Sequence, residues 1–236
     1  MKDDFGLTVE VCSILNDSLA VYSAGCFIDD NMKLAMVLGT GLNMCCSLNK
    51  SDELHPEKLL GETTLFNCEA SLFGQNLCDT FATNGRYLPE LTRLVLVDLV
   101  AAGEIFQNVG SLDKILHEEY DGFSGEVMCL VHETEDYDKI NEKLCEVYSW
   151  TRFIVANTIL AFFKLLEKYS HDKLLGDVTI GYVGSVLNYF HDYRSLIISY
   201  VNNNEEAKKL GLKIDLKLID NSSIIGAAIG AAYYSK

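Results

Sequence analysis

Leu34-Ala-Met-Val-Leu-Gly-Thr-Gly-Leu-Asn-Met-Cys-Cys-Ser-Leu48 decides how this chain folds. Two short apolar runs, Lys33 to Leu38 and Asn43 to Leu48, flank Gly39-Thr40-Gly41. Runs of that length bounded by glycine read as strands joined in a hairpin, with glycine where the turn needs positive φ. Just upstream lies Cys12-Ser-Ile-Leu-Asn-Asp-Ser-Leu-Ala-Val-Tyr22. Thr8 to Leu15 alternates and then turns continuously apolar, the pattern of a buried strand. It delivers Asn16 and Asp17 to its polar end, where either residue caps a helix over Ser18 to Gly25. Two apolar segments, each tipped with small polar residues, can converge on one small polar ligand that carries or receives phosphate.

The pattern continues outward from this pair. Asp29-Asp-Asn31 reads as a turn, Thr63 to Cys68 as a third strand ending at Glu69, and Tyr87 to Ala102 as a helix stopped by Gly103. Asp113 to Glu119 predicts a short helix, and Val127 to Val131 a short strand in an acidic stretch. A long helical pattern over Tyr137 to Tyr169 has a candidate break near Trp150. Asp177 to Val183 predicts a strand, a helix opening at Ser185 or Asn188 runs to about Val201, and Leu212 to Ile219 predicts another strand. Asn221, Ser222 and Ser223 then cap a final helix, Ile224 to Tyr234, rich in alanine and glycine. A hairpin, a third strand, several helices and two strand–helix units make an α/β layer on a mixed sheet. Without repeats or a linker, residues 1–236 read as one domain.

Composition excludes several classes of function. The net charge of −15 opposes binding of nucleic acid or an anionic membrane surface, both of which call for a lysine and arginine surplus. Six of the eight cysteines (Cys12, Cys26, Cys45, Cys46, Cys68 and Cys129) sit in or beside apolar runs without a Cys-x-x-Cys pair, so they read as reduced core thiols rather than zinc ligands. The N-terminus lacks a signal-peptide pattern and no apolar run reaches membrane length, which together predict a cytoplasmic protein.

Asp17 is the candidate general base, a carboxylate held at the edge of a core, and Asn16 beside it can orient it or touch a ligand. Plain helix capping is the alternative for both. Gly39, Thr40 and Gly41 can cradle a phosphate through backbone N–H groups and a hydroxyl, or simply turn a hairpin. Gly181-Tyr-Val-Gly-Ser185 and Asn221-Ser-Ser223 repeat the same logic at strand-to-helix junctions. Three such turns in one α/β chain point to a nucleotide crevice at the carboxyl ends of the strands.

Taken together these stretches resemble the C-terminal, large-lobe half of a eukaryotic hexokinase. Ile14-Leu-Asn-Asp-Ser-Leu-Ala is similar to the family's Ile-Val-Asn-Asp-Thr-Val-Ala, and Met36-Val-Leu-Gly-Thr-Gly-Leu-Asn-Met-Cys to its second phosphate motif. Phe66-Asn-Cys-Glu-Ala-Ser-Leu-Phe-Gly74, Tyr87-Leu-Pro-Glu-Leu-Thr-Arg-Leu-Val-Leu96, Ile180 to His191 and Asn221 to Ala228 match further segments in order. The resemblance implies a ribonuclease H-like, actin/hexokinase-type mixed sheet flanked by helices, present as a single lobe. It further implies that ATP with Mg²⁺ phosphorylates the 6-hydroxyl of a glucose-like hexose, with Asp17 as base. Asn16, Asn43 and Glu69 would hold sugar hydroxyls; Gly39, Thr40, Gly41, Gly184, Ser185 and Ser223 would lie along the nucleotide.

Departures from the family pattern set against this a second reading, a non-catalytic relative that binds sugar or nucleotide or regulates a partner. The N-terminal lobe and its first phosphate motif are absent, so a missing lobe becomes an expected partner. The region between Glu69 and Tyr87 is short, with Asp79 or Thr80 nearest the position of a second sugar-binding glutamate. Val183 replaces an aspartate, and Ile224 and Ile225 crowd a turn that is otherwise glycine-rich.

Overall fold

The computed structural model describes residues 10–39, 41–49, 62–70, 87–104, 112–118, 138–170, 176–190 and 192–235, with Gly6, Ser51 and Leu174. Helix α1 (Asp17–Ile28) precedes the hairpin β1 (Met32–Leu38) and β2 (Leu42–Asn49), followed by β3 (Thr63–Glu69). Helices α2 (Tyr87–Ala101), α3 (Asp113–His117) and α4 (Asp138–Tyr169) come next. The chain closes with β4 (Gly176–Val183), α5 (Ser185–Tyr189), α6 (Tyr193–Asn203), α7 (Glu205–Lys209), β5 (Leu212–Leu218) and α8 (Ser222–Tyr234). The expected strand at Val127 to Val131 lies outside the described residues.

The five strands form one mixed sheet in the order β3-β2-β1-β4-β5. The hairpin and β3 are antiparallel, whereas β4 and β5 run parallel to β1. Side-chain alternation divides β1 between two layers. Leu34, Met36 and Leu38 enter a large cluster with Phe162, Phe163 and Leu166 of α4, and with Ile197 and Val201 of α6. Ala35 faces a smaller cluster under α1 and α8, with Val21, Ala24 and Ile219. Each fully buried leucine or methionine contributes roughly 1.5–3 kcal/mol of transfer free energy, so the α4–α6 face carries most of the apolar burial. The result is a mixed sheet flanked by helices, the layer that the hairpin and the strand–helix units predict.

Several boundaries differ from expectation for identifiable reasons. Residues 10–16 form no strand, and Val11 and Ile14 are exposed, because the sheet order leaves this run unpaired. Gly25 does not stop α1, which runs three residues further; it makes room instead for Met32, whose methyl lies 2.6 Å from where a Cβ would stand. Helix α4 is continuous through Trp150. The single helix expected from Ser185 or Asn188 to Val201 is two, since Asp192 adopts left-handed backbone (φ 55°) between α5 and α6. Ser222 and Ser223 lie inside α8 rather than capping it; Asn221 holds the cap position, also left-handed. Among the cysteines, Cys45 and Cys46 are buried as expected, but Cys12 and Cys26 are exposed.

Candidate functional site

Asn16 is where the site begins. As the N-cap of α1 it accepts a hydrogen bond from the Ser18 backbone N–H at 2.9 Å, and Ala20 N–H reaches its carbonyl. The capping reading holds, and the cap uses only the Asn16 Oδ1. Its amide nitrogen donates across the sheet edge to Glu69 Oε1 at 3.2 Å. Asp17 follows in the first turn, exposed, with Oδ1 accepting from Ser18 N–H at 2.7 Å. A carboxylate there is also favoured by the partial positive charge of the helix N-terminus.

The position of α1 is set by close packing. Gly226 of α8 faces Ala20 so closely that a Cβ would stand 2.6 Å from Ala20 Cα and carbonyl oxygen. That approach lets α8 press α1 onto the sheet and places Asn16 over the end of β3.

Sheet register brings the remaining residues to the same edge. Glu69 is the last residue of β3 and pairs with Asn43 near the start of β2. Asn43 pairs with Val37 near the end of β1, and Val37 with Val183 at the end of β4. The ends of β1 and β4 then meet at Gly184, where φ is 127° and a Cβ would fall 2.0 Å from the Leu38 carbonyl oxygen. No other residue fits there. Gly39 and Gly41 close the hairpin turn through a 3.0 Å Gly39 N–H to Gly41 carbonyl bond, while Thr40 lies outside the described residues. Beyond β5, the Ile219 N–H bonds the Tyr182 carbonyl, which brings Asn221 and the first turn of α8 to this edge as well.

The predicted residues thus form two groups. Asn16 and Glu69 are in direct contact, with Asp17 and Asn43 adjacent in chain and register. Gly39, Gly41, Gly184, Ser185 and Ser223 line the ends of the parallel strands, with Ser185 and Ser223 exposed. Two residues escaped the sequence reading. Ser18, fully buried, places its hydroxyl 2.8 Å from Asn16 Oδ1 and 2.5 Å from Asn67 Oδ1, and Asn67 donates to Glu69 Oε1 at 2.8 Å. The signal for Asn67 was present: strand alternation puts residues 67 and 69 on one face.

This edge suits a phosphorylated ligand on physical grounds. Among the described residues nothing lies within 4 Å of where a Gly39 Cβ would stand, and the Asn221 side chain makes no cap bond, so the Ser222 and Ser223 N–H groups at the start of α8 face outward for an anion. Among the described residues no cluster of three or more His, Cys, Asp or Glu side chains could hold a metal ion. None of their helices is long and apolar enough to cross a membrane.

Among solved structures, a hexokinase from Schistosoma mansoni complexed with glucose superposes with a TM-score of 0.69 at 18% identity, covering 98% of this chain and 60% of that one. The fold is therefore of the hexokinase/actin type. The family model described as Hexokinase matches residues 80–153 and 151–233, and the chain belongs to the hexokinase family. N-acetylglucosamine kinase 1 of Candida albicans is 56% identical over 293 residues, 99% of this chain and 58% of the relative. Glucokinase-1 of Saccharomyces cerevisiae is 23% identical over 289 residues, 94% of this chain and 58% of the relative. The chain thus spans less than two thirds of the length of these relatives. Both aligned spans also exceed its own 236 residues, so each relative carries residues inside the matched stretch that this chain lacks.

Proposed function

We propose that this chain is the large lobe of a sugar kinase that transfers the γ-phosphate of ATP to the 6-hydroxyl of a hexose. The observation that carries this reading is the meeting, at one sheet edge, of Asn16, Asp17, Asn43 and Glu69 with the glycine turns at the ends of β1 and β4. Asp17, exposed with one oxygen engaged locally, takes the hydroxyl proton through the other. Asn16, Asn43 and Glu69 bind sugar hydroxyls. The Gly39–Gly41 turn, Gly184, Ser185 and Ser223 lie along the nucleotide. Mg²⁺ bound with ATP neutralises phosphate charge, and the protein's own part is positioning and exclusion of water.

The glucose-like substrate implied by the motifs gives way here to a different first choice. The relative at 56% identity is named an N-acetylglucosamine kinase, which supports a 2-acetamido hexose as the sugar to test first and glucose as the second. A coupled assay with MgATP and each sugar tests the reading. Turnover of either sugar, faster with N-acetylglucosamine, is the expected result; no turnover of any hexose by this chain or by a longer product containing it overturns it.

The residues that the relatives carry and this chain lacks favour a second reading, a lobe that binds hexose without efficient transfer. Calorimetry showing sugar binding alongside an inactive assay selects it.

A further inference from the structure

Glu69 offers a ligand one oxygen, and its neighbours determine which. Oε1 accepts the amide of Asn67 at 2.8 Å and that of Asn16 at 3.2 Å, whereas Oε2 has no partner among the described residues. The two amides meet again on the far side at Ser18, whose hydroxyl lies 2.5 Å from Asn67 Oδ1 and 2.8 Å from Asn16 Oδ1. Asn16, Ser18, Asn67 and Glu69 therefore close a ring of four side chains. Three of them lie at the surface or half-buried; Ser18 is fully buried beneath them.

A hydroxyl has one proton to give. Asn16 Oδ1, at 2.8 Å, has the Ser18 backbone N–H as a second donor, whereas Asn67 Oδ1 has no other among the described residues and is nearer at 2.5 Å, so the proton lies towards Asn67. That bond decides which end of the Asn67 amide faces the carboxylate. With the amide reversed, its carbonyl oxygen would stand against Glu69, an unfavourable meeting of two acceptors. The backbone cap fixes Asn16 in the same sense. Outward, the ring then presents Glu69 Oε2 as an acceptor beside the second N–H of Asn16 as a donor. One sugar hydroxyl matches that pair, giving its proton to Glu69 while accepting from Asn16.

We infer that Ser18 and Asn67 are positioning residues for the sugar, setting the orientation of the Asn16–Glu69 pair and with it the choice among hexose epimers. This rests on the sugar-kinase reading above. Neither residue needs to touch the ligand.

Calorimetry on the 236-residue chain tests it, with N-acetylglucosamine, glucose, mannose and galactose as probes. Ser18→Ala and Asn67→Ala each weaken binding of the preferred sugar about 10-fold and shrink the spread among epimers, while Ser18→Thr restores both. Asn67→Asp gives a readout that mere packing would not move. Its second carboxylate shares a proton with Glu69 at low pH, imitating the lost N–H, and repels Glu69 once that proton leaves. Sugar binding by this variant therefore weakens as pH rises, a direction opposite to any that a single acceptor carboxylate gives the wild type. Because Ser18 is buried and its alanine variant can fail to fold, the Asn67→Asp profile is the deciding arm. Wild-type affinity and epimer spread in Asn67→Ala, or a flat profile in Asn67→Asp, overturn the inference and leave the kinase reading standing. A wild-type protein that binds no hexose, either as this chain or within a longer product containing it, overturns both.

Discussion

Helix α1 is tied to the sheet at both ends by a carboxylate, and the two knots are put together differently. At its C-terminal end, Asp29 caps the helix with both oxygens engaged. Oδ1 accepts from Asn31 N–H at 3.0 Å, and Oδ2 from Lys217 Nζ at 2.9 Å and Thr179 Oγ1 at 3.3 Å. At the N-terminal end, Asp17 and Glu69 each have one oxygen engaged and one without a partner among the described residues. A carboxylate satisfied on both sides is a structural clasp. One satisfied on a single side is oriented without being neutralised, as a ligand-facing group must be. The same helix thus joins a clasped end to the end proposed above to face the ligand, and replacing each carboxylate separately tests the distinction.

The largest difference is expected at Asp17. Asp17→Asn keeps an acceptor for the Ser18 N–H but removes the carboxylate proposed as base, so turnover should fall roughly 10³-fold while the melting temperature stays within a degree or two. Steady-state kinetics beside thermal denaturation check this. A variant that keeps its rate, or loses its fold instead, would make the two ends of α1 alike.

Next in size is Gly226→Ala, which should disturb both ends at once. The added methyl would overlap the Ala20 backbone, and moving it aside costs about 2–3 kcal/mol. Urea denaturation reports the loss, and sugar affinity should fall with it because Asn16 rides on the same helix. Loss of stability with sugar binding intact would show that the N-terminal knot holds without α8.

How far these two ends could be read from sequence follows from the range of the interactions. The hairpin, β3, β4, β5 and α8 were legible because alternation, glycine placement and helical spacing are local signals. Asn16, Asp17, Asn43 and Glu69 were legible because each closes or opens an apolar run. The run at Thr8 to Leu15 misled, since alternation marks a segment able to pair without saying whether a neighbour exists. Gly25 misled for a similar reason: a stop signal and a space for Met32 look identical in one dimension. Ser18 was hidden by its type, a serine in a first helical turn being ordinary until the fold sets Asn67 beside it. The Asp29–Lys217 clasp joins residues too far apart in sequence for any local pattern to show.

Between the two ends the sheet excludes water, and its thiols report how well. Burial pushes Cys46 up to about 12, and raises Cys45 as well with Cys46 adding to it. In the unfolded chain both ionise near 8.5, so above that pH the unfolded state releases protons that the folded state keeps. Stability is fully present below pH 8 and declines by up to about 1.4 kcal/mol per pH unit for each thiol until the folded value is reached. Denaturation between pH 8 and 10.5 should show this fall, with Cys46→Ala shallower by one proton. An equal slope in the variant would mean that water reaches the centre as it reaches the ends.

The smallest effect belongs to the structural knot, and its pH dependence has the opposite sign. The hydrogen bond from Lys217 comes first among the causes that hold the Asp29 carboxyl below its ordinary value, with the Asn31 N–H and Thr179 hydroxyl adding to it. A lowered carboxylate stabilises the fold above its unfolded value near 3.9, and that contribution disappears as pH falls through the folded value. Lys217 is 44% exposed, so solvent screening limits the pair to about 0.5–1 kcal/mol. Asp29→Asn and Lys217→Met should each lower stability by that amount at pH 7, and the double variant by no more than either alone. Below the folded value all four proteins should converge, because the wild-type clasp is itself protonated there. Turnover should be unchanged throughout. A loss of rate in Asp29→Asn without a loss of stability would transfer the functional role to the wrong end of the helix, and the contrast between a closed and a half-open carboxylate would no longer identify the site.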